Sequence, residues 1–271
     1  MAGINQIIQS ISSIAGPALG ALAIGLFSIG NVLLLDIIGA IVAIISLLFV
    51  HIPDPEIANK AKASIRQVWN DMRLGLNEIS KNRGVLWLFI YSVIATFCIM
   101  PVAVLFPLLT LNHFNGGKFE MSLIEVVWGI GMLVGGSFLG IWKPSIHKII
   151  IINLMHILLG GTLAISGWLS PNAFIIFVIL TTLGGMAASI YNASFTTVIQ
   201  EEVQPEMLGR IFSLFFSIAV IPSVVGLLST GFLADTVGIN LTFIVLGLMI
   251  TLVGLVSFIT PSLMSLGKIK S

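Results

Sequence analysis

The sequence predicts an all-α integral membrane protein with eight transmembrane helices, and three observations predict it. Eight apolar segments run unbroken for about 20 residues each, the length one bilayer crossing requires. The composition is 57% hydrophobic and 8% charged, too few charges to cover a water-soluble surface. Eleven of the twelve Lys and Arg residues fall in alternate gaps between the apolar segments, as the excess of basic residues in cytoplasmic loops demands. Within lipid every backbone polar group must be satisfied internally, so spans are helices or closed-barrel strands. Barrel strands alternate apolar and polar over roughly ten residues. These segments are continuously apolar over twice that length, which selects helices.

The predicted spans are 4–26, 29–50, 84–111, 121–142, 149–169, 173–199, 208–234 and 238–260. Lys60, Lys62, Arg66, Arg73, Lys81 and Arg83 fall within or beside the gap at 51–83, Lys143 and Lys148 in 143–148, Arg210 just after 200–207, and Lys268 and Lys270 in the tail. Only Lys118 occupies an intervening gap. Both termini are therefore expected in the cytoplasm of a multi-pass protein of the cell membrane. Residues 1–50 lack the basic stretch of a signal peptide, so no cleaved leader is expected.

The long gap divides the chain into a pair of spans over 1–52, a connector over 53–83, six spans over 84–262 and a tail over 263–271. Pro53-Asp54-Pro55 blocks helix continuation at its start. Ala61, Ile65, Val68, Met72, Leu76 and Ile79 then recur at steps of three and four, the stripe of an amphipathic helix. Such a helix lies on an anionic membrane surface or is a solvated linker, and both readings stand.

Residues 5–20 carry Gly16-Pro17 and Gly20, with Ser12 and Ala21 at neighbouring small positions. This run resembles the antiporter motif in the fifth helix of drug-efflux members of the major facilitator superfamily. Residues 200–214, with Pro205, Gly209-Arg210 and Phe212-Ser213, resemble the loop between helices ten and eleven in the macrolide-efflux and enterobactin-exporter branch. The connector sits where that family has its central loop. Gly226, Gly231 and Leu233-Ala234-Asp235 suit its helix eleven. The loop from Gly140 to Lys148 keeps only Gly140 and positive charge from the family's pattern between helices eight and nine.

The resemblance implies a partial facilitator fold: the last two helices of the amino-terminal half and a complete six-helix carboxy-terminal half. It implies alternating access and proton-coupled export of an amphipathic, macrolide-like or drug-like molecule. Three alternatives stay open: a siderophore exporter, a truncated or split-gene product without transport of its own, and a chain needing a separate partner for the first four helices.

Candidate site residues follow from cost. Asp36 lies inside the second span, where a carboxylate is expensive. It accepts a proton or holds a cationic substrate, or it is a structural carboxylate bonded to a neighbouring helix. Asn5 and Gln9 share one face of the first span and either line a substrate path or join helices. Asn192 is the polar pore-lining candidate of the sixth span. Arg210, with Glu202 and Glu206 as partners, is a candidate cytoplasmic gate or a plain inside anchor. Glu125 is read as an interface residue, and His156 with Asn153 as a satisfied polar pair rather than a proton relay. No charge lies near the middle of any span, so a deep coupling carboxylate is expected in the absent helices.

The net charge of +1 argues against a nucleic-acid partner. The single cysteine, Cys98, gives no thiol metal cluster, and no metal or cofactor is expected. No His-Glu-x-x-His, Gly-x-Ser-x-Gly or Gly-Lys-Ser/Thr pattern occurs, so neither an enzyme nor direct ATP coupling is expected. The expected partners are the lipid bilayer, a small-molecule substrate and protons.

Overall fold

The computed structural model describes residues 29–49, 65–141 and 147–266. The first predicted span, the Pro53–Pro55 segment and the tail lysines lie outside the described residues. The helices in chain order are α1 (Ile29–Phe49), α2 (Ile65–Lys81), α3 (Arg83–Asn112), α4 (Lys118–Ile141), α5 (Lys148–Trp168), α6 (Phe174–Glu202), α7 (Pro205–Thr236), α8 (Ile239–Ile259) and the single turn α9 (Pro261–Met264). There is no strand among the described residues. Among the described residues five helices, α3, α4, α5, α6 and α8, are long and apolar enough to cross a membrane. Their ends fall within three residues of the spans read from the sequence, and α1 and α7 are helical where two more were expected.

Local chemistry sets the boundaries. Asn82 separates α2 from α3, its side-chain oxygen accepting from the Gly84 amide at 3.0 Å to cap α3. Gly238, at φ 91°, supplies the left-handed residue between α7 and α8 that side chains disfavour. Pro101 and Pro107 sit inside α3. Proline carries no amide hydrogen, so Phe97 and Ala103 lose their usual i+4 donors.

The helices pair through glycine. A Cβ at Gly135 of α4 would lie 2.5 Å from the Met186 carbonyl oxygen of α6. One at Gly131 would overlap the Thr182 carbonyl, and one at Gly185 the Trp128 carbonyl. On the other side of the bundle, a Cβ at Gly160 of α5 would lie 2.5 Å from the Gly247 carbonyl oxygen of α8. Gly167 and Gly254 continue that seam. Lipid gives helices no hydrophobic reason to associate, so close backbone approach through small residues supplies the contact.

The core forms two layers. One holds Ile79, Leu88, Ile149, Ile199, Ile211 and Leu214, gathering α2, the starts of α3, α5 and α7, and the end of α6. The other holds Leu109, Phe114, Ile124, Phe177 and Phe243 at the opposite helix ends. The gaps before α3, before α5 and between α6 and α7 therefore meet at one end, which is where the sequence concentrates Lys and Arg. Outward faces are apolar: Trp168 is 84% and Ile259 79% exposed. Buried hydroxyls bond within their own helices, as Ser92 does to Leu88, Thr110 to Phe106 and Thr181 to Phe177.

The connector helix makes a protein contact that neither sequence reading includes. Ile79 is 1% exposed, and Gly75 faces Leu214 of α7 with room for a Cβ only 3.3 Å from its Cδ2. Part of the stripe that the sequence assigns to lipid or solvent thus packs into protein, while Leu76 of the same stripe stays exposed. Each α1 side chain that is described is exposed, from Asn31 to Phe49.

Candidate functional site

An apolar cavity of about 140 Å³ opens where α3, α4, α5 and α6 meet. Ile99, Val102, Ala103 and Phe106 come from α3, Ile124, Glu125 and Trp128 from α4, Leu159 and Leu163 from α5, and Thr181 from α6. The glycine contact with α6 fixes the rotation of α4. Glu125 and Trp128, one turn apart, thereby face the cavity together. Phe106 anchors the wall, edge-on to Trp128 at 6.1 Å and to Phe243 at 5.3 Å, and stacked on Phe177 at 5.8 Å. The Thr181 hydroxyl is committed to the Phe177 carbonyl at 2.8 Å. The Glu125 carboxylate is exposed and has no hydrogen-bond or ion-pair partner among the described residues. The site is greasy and aromatic with one carboxylate at its rim. The sequence places Glu125 at an interface by its depth along α4, and depth carries no information about rotation.

The sequence-predicted candidates are dispersed. Asn5, Gln9, Gly16, Pro17 and Gly20 lie outside the described residues. Asp36 sits about two turns into α1. Asn192 is exposed on α6 and its amide donates to the Ala188 carbonyl at 3.0 Å, away from the cavity wall.

A polar cluster lies at the end of the bundle that carries the basic gaps. Lys148 at the start of α5 bonds Glu201 at the end of α6 at 2.5 and 2.6 Å. Glu202 accepts from the Asn82 amide at 3.4 Å, tying α6 to the α2–α3 junction. The Arg210 guanidinium reaches the Met207 sulfur at 3.5 Å, and Glu206 is exposed one turn before it. Lys148 as the partner of Glu201 is absent from the sequence reading, because the two are 53 residues apart. At the opposite end His113 bonds the Leu169 carbonyl at 2.7 Å and Asn240 at 2.8 Å, and Asn240 reaches the Gly167 carbonyl at 3.3 Å.

The expectation of a satisfied His156–Asn153 pair also changes. His156 is 2% exposed and neither ring nitrogen has a hydrogen-bond partner among the described residues. Its ring stands 4.6 Å from that of Tyr191, whose hydroxyl lies beside Ser92 without hydrogen-bond geometry. The Asn153 amide turns to the Met264 sulfur at 3.6 Å. Among the described residues, no group of His, Cys, Asp and Glu is arranged to hold a metal ion.

Sequence comparison places this architecture among known proteins. Residues 1–170 match the profile of the Major Facilitator Superfamily. "Macrolide efflux protein A" of Streptococcus pyogenes is 32% identical over 255 residues, covering 94% of this chain and 62% of the relative. "Macrolide efflux protein A" of Enterococcus faecalis is 33% identical over 226 residues, covering 83% and 69%. "Multidrug efflux pump Tap" of Mycobacterium tuberculosis is 24% identical over 275 residues, covering 97% and 62%. The chain thus spans about three fifths of the length of the streptococcal relative it matches.

Proposed function

The chain belongs to the Major Facilitator Superfamily, and from that premise we propose that it serves the export of an amphipathic, macrolide-like small molecule across the cell membrane. The observation that carries the reading is the cavity between α3, α4, α5 and α6, with aromatic walls and a carboxylate at its rim. Small-molecule sites are concave, mostly apolar and furnished with few polar groups. The mechanism is alternating access, in which bundles of helices rock about a site within the membrane while protons move the other way.

In this mechanism the cluster around Lys148, Glu201, Glu202, Asn82 and Arg210 acts as the cytoplasmic closure, with Glu206 beside it. Asn5, Gln9, Asp36 and Asn192 are further pore-lining candidates, and Gly16, Pro17 and Gly20 form the antiporter-like run. Both termini face the cytoplasm.

Expression in a macrolide-sensitive bacterium tests the reading. Cells carrying the chain should accumulate less radiolabelled erythromycin than cells with empty vector, and a protonophore should abolish the difference. Equal accumulation in both strains opposes export by this chain. A second reading rests on the exposed apolar surface of α1. In it, export requires further membrane helices packed against α1, from the same polypeptide or a separate chain. Co-expression of such helices then restores a difference that the chain lacks.

A further inference from the structure

We infer that Glu125 selects the substrate by charge, holding the protonated amine of a lipophilic cation against Trp128 and Phe106. The inference rests on the export reading and names the class of molecule the cavity takes. Glu125 lies seven residues into α4, about 10 Å along a helix rising 1.5 Å per residue. It falls four residues inside the span predicted over 121–142, and an ionisable side chain within a span marks a functional position when it faces a cavity rather than lipid. Glu125 faces such a cavity, and no Lys, Arg or His contributes to its wall. A carboxylate without a cation of its own is completed by a cation that arrives.

Three further features fit an ammonium group. Trp128, one turn along α4, presents the aromatic surface that attracts cations, tryptophan being the strongest of the aromatic partners. Phe106 is held by Phe177 and Phe243, so the aromatic wall is in place before a ligand enters. Pro107 withholds the usual donor from the Ala103 carbonyl, and Ala103 also lines the cavity. The remaining lining is aliphatic apart from Thr181, whose hydroxyl is committed to Phe177, and suits the uncharged body of the molecule. At about 140 Å³ the cavity admits the amine end of a large molecule and leaves the rest outside.

The test titrates the purified chain in lipid nanodiscs with two radiolabelled probes at neutral pH. Erythromycin carries a protonated dimethylamino group. Erythromycin N-oxide keeps the ring and carries no net charge. The parent chain should bind erythromycin at least about tenfold more tightly, and Glu125→Gln should remove most of that preference while leaving N-oxide binding intact, a tenfold ratio being one charge-assisted contact's worth. Glu125→Asp should keep part of the preference, and Trp128→Leu should reduce it. Unaltered burial of Cys98 against a thiol reagent confirms that each variant is folded. Equal preference in parent and Glu125→Gln overturns the charge assignment and leaves the export reading standing. Failure of the parent to bind either probe overturns both.

Discussion

At Gly131, Gly135 and Gly185 the α4 and α6 backbones approach so closely that one added methyl meets a carbonyl group. Gly131→Ala should therefore lower stability by about 1–3 kcal/mol, the usual cost of overpacking, through separation of α4 from α6. Cys98 offers the readout: it is the chain's one cysteine and 0% exposed, so a thiol reagent labels it only on unfolding. The labelling midpoint should fall in Gly131→Ala. Gly161, with open space around its would-be Cβ, is the matched control and should tolerate Ala. His156 predicts the opposite sign. A buried polar group without a partner costs about 1–3 kcal/mol, so His156→Leu should raise the same midpoint. A fall would mean that a water or another ligand completes the His156, Asn153 and Tyr191 group.

At the scale of the element, the connector is the informative case. Ile79 joins the core that gathers α3, α6 and α7, so Ile79→Ala should cost about 2–5 kcal/mol and loosen α2 from α7. Limited proteolysis near Asn82 should then accelerate, whereas Leu76→Ala, at an exposed position, should leave it unchanged. The α2 stripe was visible in the sequence because polar residues frame it at helical spacing. For α3, α4, α5 and α6 the same device fails. These helices are apolar on nearly every face, since lipid accepts what a core accepts, and periodicity then cannot say which face meets which neighbour. Length and position along the chain gave the spans. The rotation that turns Glu125 toward the cavity depends on which carbonyls Gly131 and Gly135 meet, a property of pairs of helices. The Lys148–Glu201 and His113–Asn240 bonds, between distant parts of the chain, were invisible for the same reason.

Across the whole molecule, the two core layers divide the helix ends into two faces, with Lys81, Arg83, Lys148 and Arg210 at one of them. If that face is cytoplasmic, a cysteine placed at Asn115, between α3 and α4, should react with a membrane-impermeant maleimide in intact cells. One placed at Gln204, between α6 and α7, should react only after the membrane is opened. The reverse pattern would invert the orientation. The glycine seams bear on the cavity in a further way. They bind α4 to α6 and α5 to α8 as two plates, which also meet where α5 packs on α6, and the His113–Asn240 clasp adds α3 to the second. The cavity lies along the boundary between the plates. Sliding of packed helices is a low-cost motion compared with deforming them. Any shear between the plates would therefore change the pocket's aperture, since Glu125 sits on one plate and most of the aliphatic lining on the other.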